Sequence, residues 1–170
     1  CLTKEDIDEF LKDAGESDVY LTQLENPIDI VGYGLKKAKE KGMYTVLNPA
    51  PADQKIAEYF EYVDLITPNE SELALFGGKS ILFSAGIRKI VTTLGSKGYE
   101  IADGNGAKIY PCIKVKAIDT TAAGDSFSAG YLAVRLTGGT PEAAAQRGHL
   151  TASTVIQYRG AIIPREAMPA

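Results

Sequence analysis

Tryptophan is absent from the 170 residues, and histidine, cysteine and methionine are scarce, with one His, two Cys and two Met. His149, Cys1 and Cys112 cannot make the four-ligand Cys/His set of a typical structural zinc site. Two cysteines also argue against a disulfide-stapled secreted domain and fit a reducing compartment, so a cytoplasmic location is expected. No apolar run approaches the roughly 20 residues of a membrane helix, and no charged-then-apolar leader is present. Basic residues are outnumbered, 18 against 22 acidic, for a net charge of −4. Without a basic stripe interleaved with aromatics, neither nucleic acid nor membrane is an expected partner. The sequence opens on Cys1 and runs straight into the helix-start signal Thr3-Lys4-Glu5-Asp6. That reads as a piece of a longer chain rather than an acylated mature end.

What is present is a globular composition, 45% apolar and 24% charged. Area scaling lets a chain of this mass bury about 69% of its unfolded surface, enough for one core, and a single domain over 1–170 is expected. Periodicity predicts helices at about 4–14, Pro27 to Lys41, 53–60, a short one from Asn69 to Phe76, 79–86, 125–137 and 141–157. Strands are predicted at Asp18–Leu24, Met43–Leu47, Val63–Thr67, Lys89–Leu94 and Ile113–Ala117. Asp103-Gly104-Asn105-Gly106 joins Gly98–Ala102 to Ala107–Pro111 as a hairpin. The alternation indicates an α/β fold, a Rossmann-like parallel sheet flanked by helices with a late β-hairpin. Ligands in such sheets collect at the carboxyl ends of strands, here the loops after Leu24, Leu47, Thr67, Leu94 and Ile118.

Several motifs fail. Gly77-Gly78-Lys79-Ser80 resembles the end of a Walker loop, but Leu73 stands where that loop needs glycine. Gly104-Asn105-Gly106 lacks the third glycine of a dinucleotide fingerprint and sits in a hairpin. Leu94 precedes Gly95-Ser96 where a nucleophile elbow needs glycine, and the only imidazole lies in a helical pattern, so a serine hydrolase is excluded.

Asp119-Thr120-Thr121-Ala122-Ala123-Gly124-Asp125 leads into a helix. Small residues let the backbone approach a ligand, and the helix's first N–H groups form an anion site suited to a phosphoryl group. Asp125 would repel a bound anion, which makes sense if it takes a proton from an attacking hydroxyl. An ordinary helix cap with a first-turn carboxylate is the other reading.

Residues Asp119 to Leu132 (DTTAAGDSFSAGYL) resemble the second signature of the ribokinase family of carbohydrate kinases, also called the PfkB family. Gln23-Leu24-Glu25, Leu47-Asn48-Pro49-Ala50-Pro51-Ala52, Ile66-Thr67-Pro68-Asn69-Glu70-Ser71-Glu72 and Thr93-Leu94-Gly95-Ser96-Lys97-Gly98 resemble further family segments in family order. Gly160-Ala161 with Pro164 resembles the closing segment.

The resemblance implies a partial ribokinase-like fold and ATP-dependent phosphorylation of a sugar hydroxymethyl group, with D-ribose the leading acceptor and D-ribose 5-phosphate the product. Asp125 matches the catalytic base, and the N–H groups of Ala122, Ala123, Gly124 and Asp125 match the anion hole. Asn69 and Glu72 match an element that organises Mg²⁺ and its waters; a capping box is their plain structural reading. Thr93, Gly95, Ser96 and Gly98 match the loop for ATP phosphates and ribose, or a tight turn. His149 falls at a residue lining the adenine pocket, and Glu25 matches a sugar-contacting acid. Asp119 and the carbonyl of Thr121 match part of a monovalent-cation site, usually K⁺, completed by the carbonyls of Val155, Tyr158 and Gly160. There the chain departs from the pattern: Gln157 to Pro164 is two residues shorter and lacks the serine ligand. Ala122 stands where glycine is commoner.

The matching segments are those of the family's carboxyl half, without the sugar-gripping amino half or the β lid that makes the family dimer. The chain alone is therefore expected to transfer phosphoryl poorly. A kinase for a related sugar or nucleoside, and a non-catalytic sugar or nucleotide sensor on the same fold, are the competing readings. An NAD-linked enzyme is disfavoured by the missing fingerprint.

Overall fold

The computed structural model describes residues 2–169. Strands β1 (Val19–Thr22), β2 (Tyr44–Leu47), β3 (Leu65–Ile66), β4 (Lys89–Thr93), β5 (Tyr99–Asp103) and β6 (Gly106–Tyr110) form one mixed sheet in chain order, β1 to β4 mutually parallel. The helices are α1 (Lys4–Phe10), α2 (Ile28–Glu40), α3 (Glu70–Leu75), α4 (Lys79–Ser84), α5 (Ala123–Arg135) and α6 (Pro141–Val155). The chain packs into two compact units.

The first unit holds residues up to Thr93 together with Ala102–Lys108. Its α1 starts at a capping box: Thr3 Oγ1 accepts the Asp6 N–H, and Asp6 accepts the Thr3 N–H in return. The helix stops at Phe10 rather than near residue 14. Its final turn carries no basic residue to meet the helix dipole, and the chain leaves through turns at Lys12 and Ala14. One face of α2 buries Val31, Leu35 and Ala38, in a core with Leu11, Leu47, Ile56, Phe60, Ile66, Leu82 and Ile90. Each large aliphatic side chain buried this way is worth about 1.5–3 kcal/mol.

The segment expected as a helix at 53–60 is instead a 3₁₀ helix, Gln54–Tyr62. Asp53 accepts the Lys55 N–H through its side chain, and its carbonyl accepts from Ile56, three residues on, which sets the tighter winding. Ile56 and Phe60 are buried all the same, and Phe60 meets Phe76 edge-on at 5.4 Å.

Asp64 is a charged residue of this interior, with its side chain 6% exposed. It accepts from the Thr45 N–H at 3.1 Å and from Lys39 Nζ at 2.5 Å, and the Thr45 hydroxyl, 3.1 Å away, lies closer to the Tyr62 carbonyl at 2.6 Å. These bonds, with the Arg88 guanidinium 3.8 Å away, offset a desolvation that would otherwise cost several kcal/mol.

The hairpin forms as expected, its strands shifted by one residue, around the two-residue turn Gly104-Asn105. Asp103 fixes the turn by accepting the Asn105 N–H at 2.8 Å.

The second unit comprises Leu94–Ile101 and the residues from Ile109 onward. Helices α5 and α6 pack against each other and bury Phe127, Tyr131, Ala144, Ala145 and Val155. The strand expected at Ile113–Ala117 does not form. Its alternation of Ile113, Val115 and Ala117 with lysines mimics a half-buried strand, but the Ile113 N–H goes to His149 rather than to a neighbouring strand.

Candidate active site

In the first unit, the parallel sheet brings three of the expected site residues to the carboxyl ends of neighbouring strands. Asn69 and Thr93 form a parallel β-bridge just beyond β3 and at the end of β4, and Thr93 donates its N–H to the Pro68 carbonyl at 3.0 Å. Asn69 also caps α3 in a full capping box. Its Oδ1 accepts the Glu72 N–H at 2.9 Å, and Glu72 Oε2 accepts the Asn69 N–H at 2.8 Å. Partial burial raises the Glu72 pKa above the ordinary carboxylate value, and the Asn69 N–H opposes that rise. Glu25 is exposed in the turn between β1 and α2.

In the second unit, Gly95–Lys97 forms a single 3₁₀ turn closed by the Leu94 N–H on the Gly98 carbonyl at 2.9 Å. Gly95 and Ser96 are exposed. Gly98 has φ +105°, and a Cβ there would collide with the Tyr110 carbonyl, so only glycine fits.

The Asp119–Asp125 segment enters α5 through Ala122, which has φ 58° and ψ 17° and is the only non-glycine residue described with positive φ. A left-handed alanine costs roughly 1–2 kcal/mol, strain that the surrounding bonds must hold. Past it, the first-turn N–H groups of α5 point out of the helix start, with Gly124 and Asp125 exposed. The Ala123 N–H also reaches the Thr120 carbonyl at 3.2 Å.

Asp119 ties this loop down. Its Oδ1 accepts the Thr121 N–H at 2.9 Å and the Thr121 hydroxyl at 2.7 Å, and its Oδ2 accepts the Gly160 N–H at 2.9 Å. These donors, the Gly160 N–H foremost, lower its pKa to about 2. The Ile156 carbonyl accepts the N–H groups of both Ile118 and Asp119, and the Val155 carbonyl accepts that of Tyr158. Asp119 is thus bonded to Thr121 through its N–H and hydroxyl and to Gly160 through its N–H, where the resemblance implied carbonyls around a cation.

His149, half-buried on α6, accepts the Ile113 N–H through Nε2 at 2.9 Å. Its ring lies 5.3 Å from that of Tyr99, which stacks on Tyr110 at 5.1 Å. Burial lowers the imidazole pKa. These residues line a cleft of about 360 Å³ with Ile113, Glu142 and Gln146. The sequence pointed to His149 but not to the two tyrosines, whose signal was their placement on the two strands of the hairpin. Among the described residues, no group of three or more His, Cys, Asp or Glu is placed to hold a metal, and no helix is long and apolar enough to cross a membrane.

Comparison with known proteins adds the relationships. A family model described as pfkB family carbohydrate kinase matches residues 16–168. The chain is 64% identical over 91 residues to 2-dehydro-3-deoxygluconokinase of Escherichia coli K12, covering 51% of this chain and 29% of that protein. It is 34% identical over 158 residues to ribokinase of Haemophilus influenzae, covering 86% of this chain and 52% of that one. It superimposes on Arabidopsis thaliana ribokinase, solved with ribose and ATP, with TM-score 0.80 and 26% identity over 99% of this chain and 56% of that structure. The chain thus spans about half the length of that ribokinase relative and less of the first.

Proposed function

The chain belongs to the pfkB family of carbohydrate kinases, and from that premise we propose that it serves ATP-dependent phosphorylation of a sugar's primary hydroxyl. The observation that carries this reading is the loop at Ala122: a strained left-handed turn that opens α5 with a carboxylate, Asp125, in its first turn. Helix-start N–H groups from Ala122 to Asp125 hold the charge that develops on the phosphoryl group in flight. Asp125 accepts the proton of the attacking hydroxyl. Thr93, Gly95, Ser96 and Gly98 receive the nucleotide phosphates and ribose, and His149 lines the base pocket with Tyr99 and Tyr110.

Asn69 and Glu72 fit a role beside Mg²⁺. The capping box uses Glu72 Oε2 and leaves Oε1 outside it, a hard oxygen donor of the kind Mg²⁺ and its waters take. When bound, Mg²⁺ supplies neutralisation of the phosphate charge.

D-Ribose is the leading acceptor, with Glu25 contacting it, on the likeness of the segments around Glu25 and Asn48 and on the ribokinase relative. A second acceptor, 2-dehydro-3-deoxygluconate, is favoured by 64% identity over 91 residues to the kinase named for it. Both carry a terminal primary hydroxyl for the same base. We place the reaction in the cytoplasm on the two-cysteine composition.

The test joins this chain in turn to the amino half of a ribokinase and to that of a 2-dehydro-3-deoxygluconokinase, which controls for the donor half's own sugar preference, and measures ADP release with Mg²⁺, ATP and each sugar. Turnover with D-ribose supports the leading reading, and turnover with 2-dehydro-3-deoxygluconate alone replaces it with the second. A fusion that binds MgATP and phosphorylates neither sugar nor any nucleoside overturns the kinase reading in favour of a sensor.

A further inference from the structure

The family resemblance implies a monovalent cation held by Asp119 and the carbonyls of Thr121, Val155, Tyr158 and Gly160. The donor set around Asp119 does not fit such an ion. A hard cation is held by oxygen atoms, but Gly160 turns its N–H, not its carbonyl, toward Asp119 Oδ2, at 2.9 Å. Its φ of +80° is what allows that orientation. Three of the roughly four acceptor positions of a carboxylate are taken, by the Gly160 N–H and by the N–H and hydroxyl of Thr121. The Val155 carbonyl already accepts from Tyr158. The segment 157–164 adds Arg159, a positive charge acting on Asp119, and the Gln157 amide is turned away to the Ser153 carbonyl.

We infer that Asp119 is a positioning residue that clamps the phosphoryl-holding loop to the 156–160 turn through the chain's own N–H groups, so that nucleotide binding and transfer at this site proceed without K⁺. The clamp has two parts. Asp119 grips Thr121 and Gly160, and the Ile156 carbonyl grips Ile118 and Asp119. Together they hold Ile118, Asp119 and Thr121, the residues that lead into the left-handed Ala122. The inference rests on the reading of residues 122–125 as that loop.

The test has two arms on the purified chain. MgATP affinity is measured by calorimetry in potassium chloride and in choline chloride at equal ionic strength. Amide hydrogen exchange at Thr121 and Gly160 is measured in both salts for the wild type, Asp119→Asn and Thr121→Val. The expected result is a Kd that changes less than twofold between salts, wild-type protection independent of K⁺, and exchange at least tenfold faster in Asp119→Asn. An affinity gain of tenfold or more in K⁺, or K⁺-dependent protection of those amides in the wild type, overturns the inference. If Asp119→Asn fails to fold, Thr121→Val, which removes one bond only, is expected to speed exchange at Thr121 and Gly160 in both salts alike. If the chain binds no nucleotide in either salt, the clamp is judged by the exchange arm alone, and the kinase reading by the turnover of the fusion.

Discussion

His149 and Ile113 lie 36 positions apart in sequence and meet through one hydrogen bond, Ile113 N–H to His149 Nε2 at 2.9 Å. The bond needs an unprotonated Nε2, and burial lowers the imidazole pKa below its ordinary 6.5. Between the two values the unfolded chain binds the extra proton, so stability rises with pH there. This contribution is complete above about pH 6.5 and is lost as pH falls below it. Thermal melting should show a decline setting in near that pH, absent from His149→Gln. Tyr99, Tyr110 and Glu142 also face the cleft. Asp119, with its pKa at about 2 against an ordinary 3.8, acts in a separate and more acidic window. Identical profiles for the two proteins would remove His149 from the account.

Asp125→Asn should keep MgATP affinity within about threefold and lower turnover of the active fusion by roughly 10²–10⁴-fold, the range of a lost general base. Calorimetry and an ADP-release assay on the same preparation separate the two effects. Retained turnover would reduce Asp125 to a helix-start carboxylate.

Ala122→Gly should stabilise the protein. Glycine adopts φ near +58° without the alanine penalty of roughly 1–2 kcal/mol, less about 0.5–1 kcal/mol for the freer unfolded chain. At about 2–4 °C per kcal/mol for this chain length, that net gain of under about 1 kcal/mol should raise the melting temperature by about 1–3 °C. A fall would mean that the left-handed turn is not kept in solution.

Asp64→Asn should destabilise by roughly 1.5–3 kcal/mol, because the half-buried Lys39 and the buried Thr45 N–H lose a charged acceptor. Denaturant unfolding of Asp64→Asn beside the double variant Asp64→Asn/Lys39→Met checks the cause. The double variant should recover part of the loss.

The α/β character and most element positions were legible because alternating apolar runs and turn residues act locally. The hairpin around Gly104-Asn105 was found within one residue at each end. The same local logic failed at Ile113–Ala117, since a period of two says that one face is apolar but not whether a neighbouring strand exists. At the candidate site, the small residues before Asp125 marked the loop, and the Asn69/Glu72 spacing marked the capping box. What no spacing reveals is direction: that Gly160 offers its N–H to Asp119, that Ala122 is left-handed, and that His149 is an acceptor for a backbone group. Each depends on residues tens of positions away.

The reciprocal bonds between Asn69 and Glu72 bear on the thermodynamics of recognition. Both side chains lose their rotamer freedom when α3 forms, so ligand association need not immobilise them again, a saving of roughly 0.5–1.5 kcal/mol for each. On the role proposed for Asn69 and Glu72, affinity at this end of the sheet is coupled to the helicity of a six-residue helix. A substitution at an exposed position of α3 that frays the helix would weaken association without touching the bound molecule.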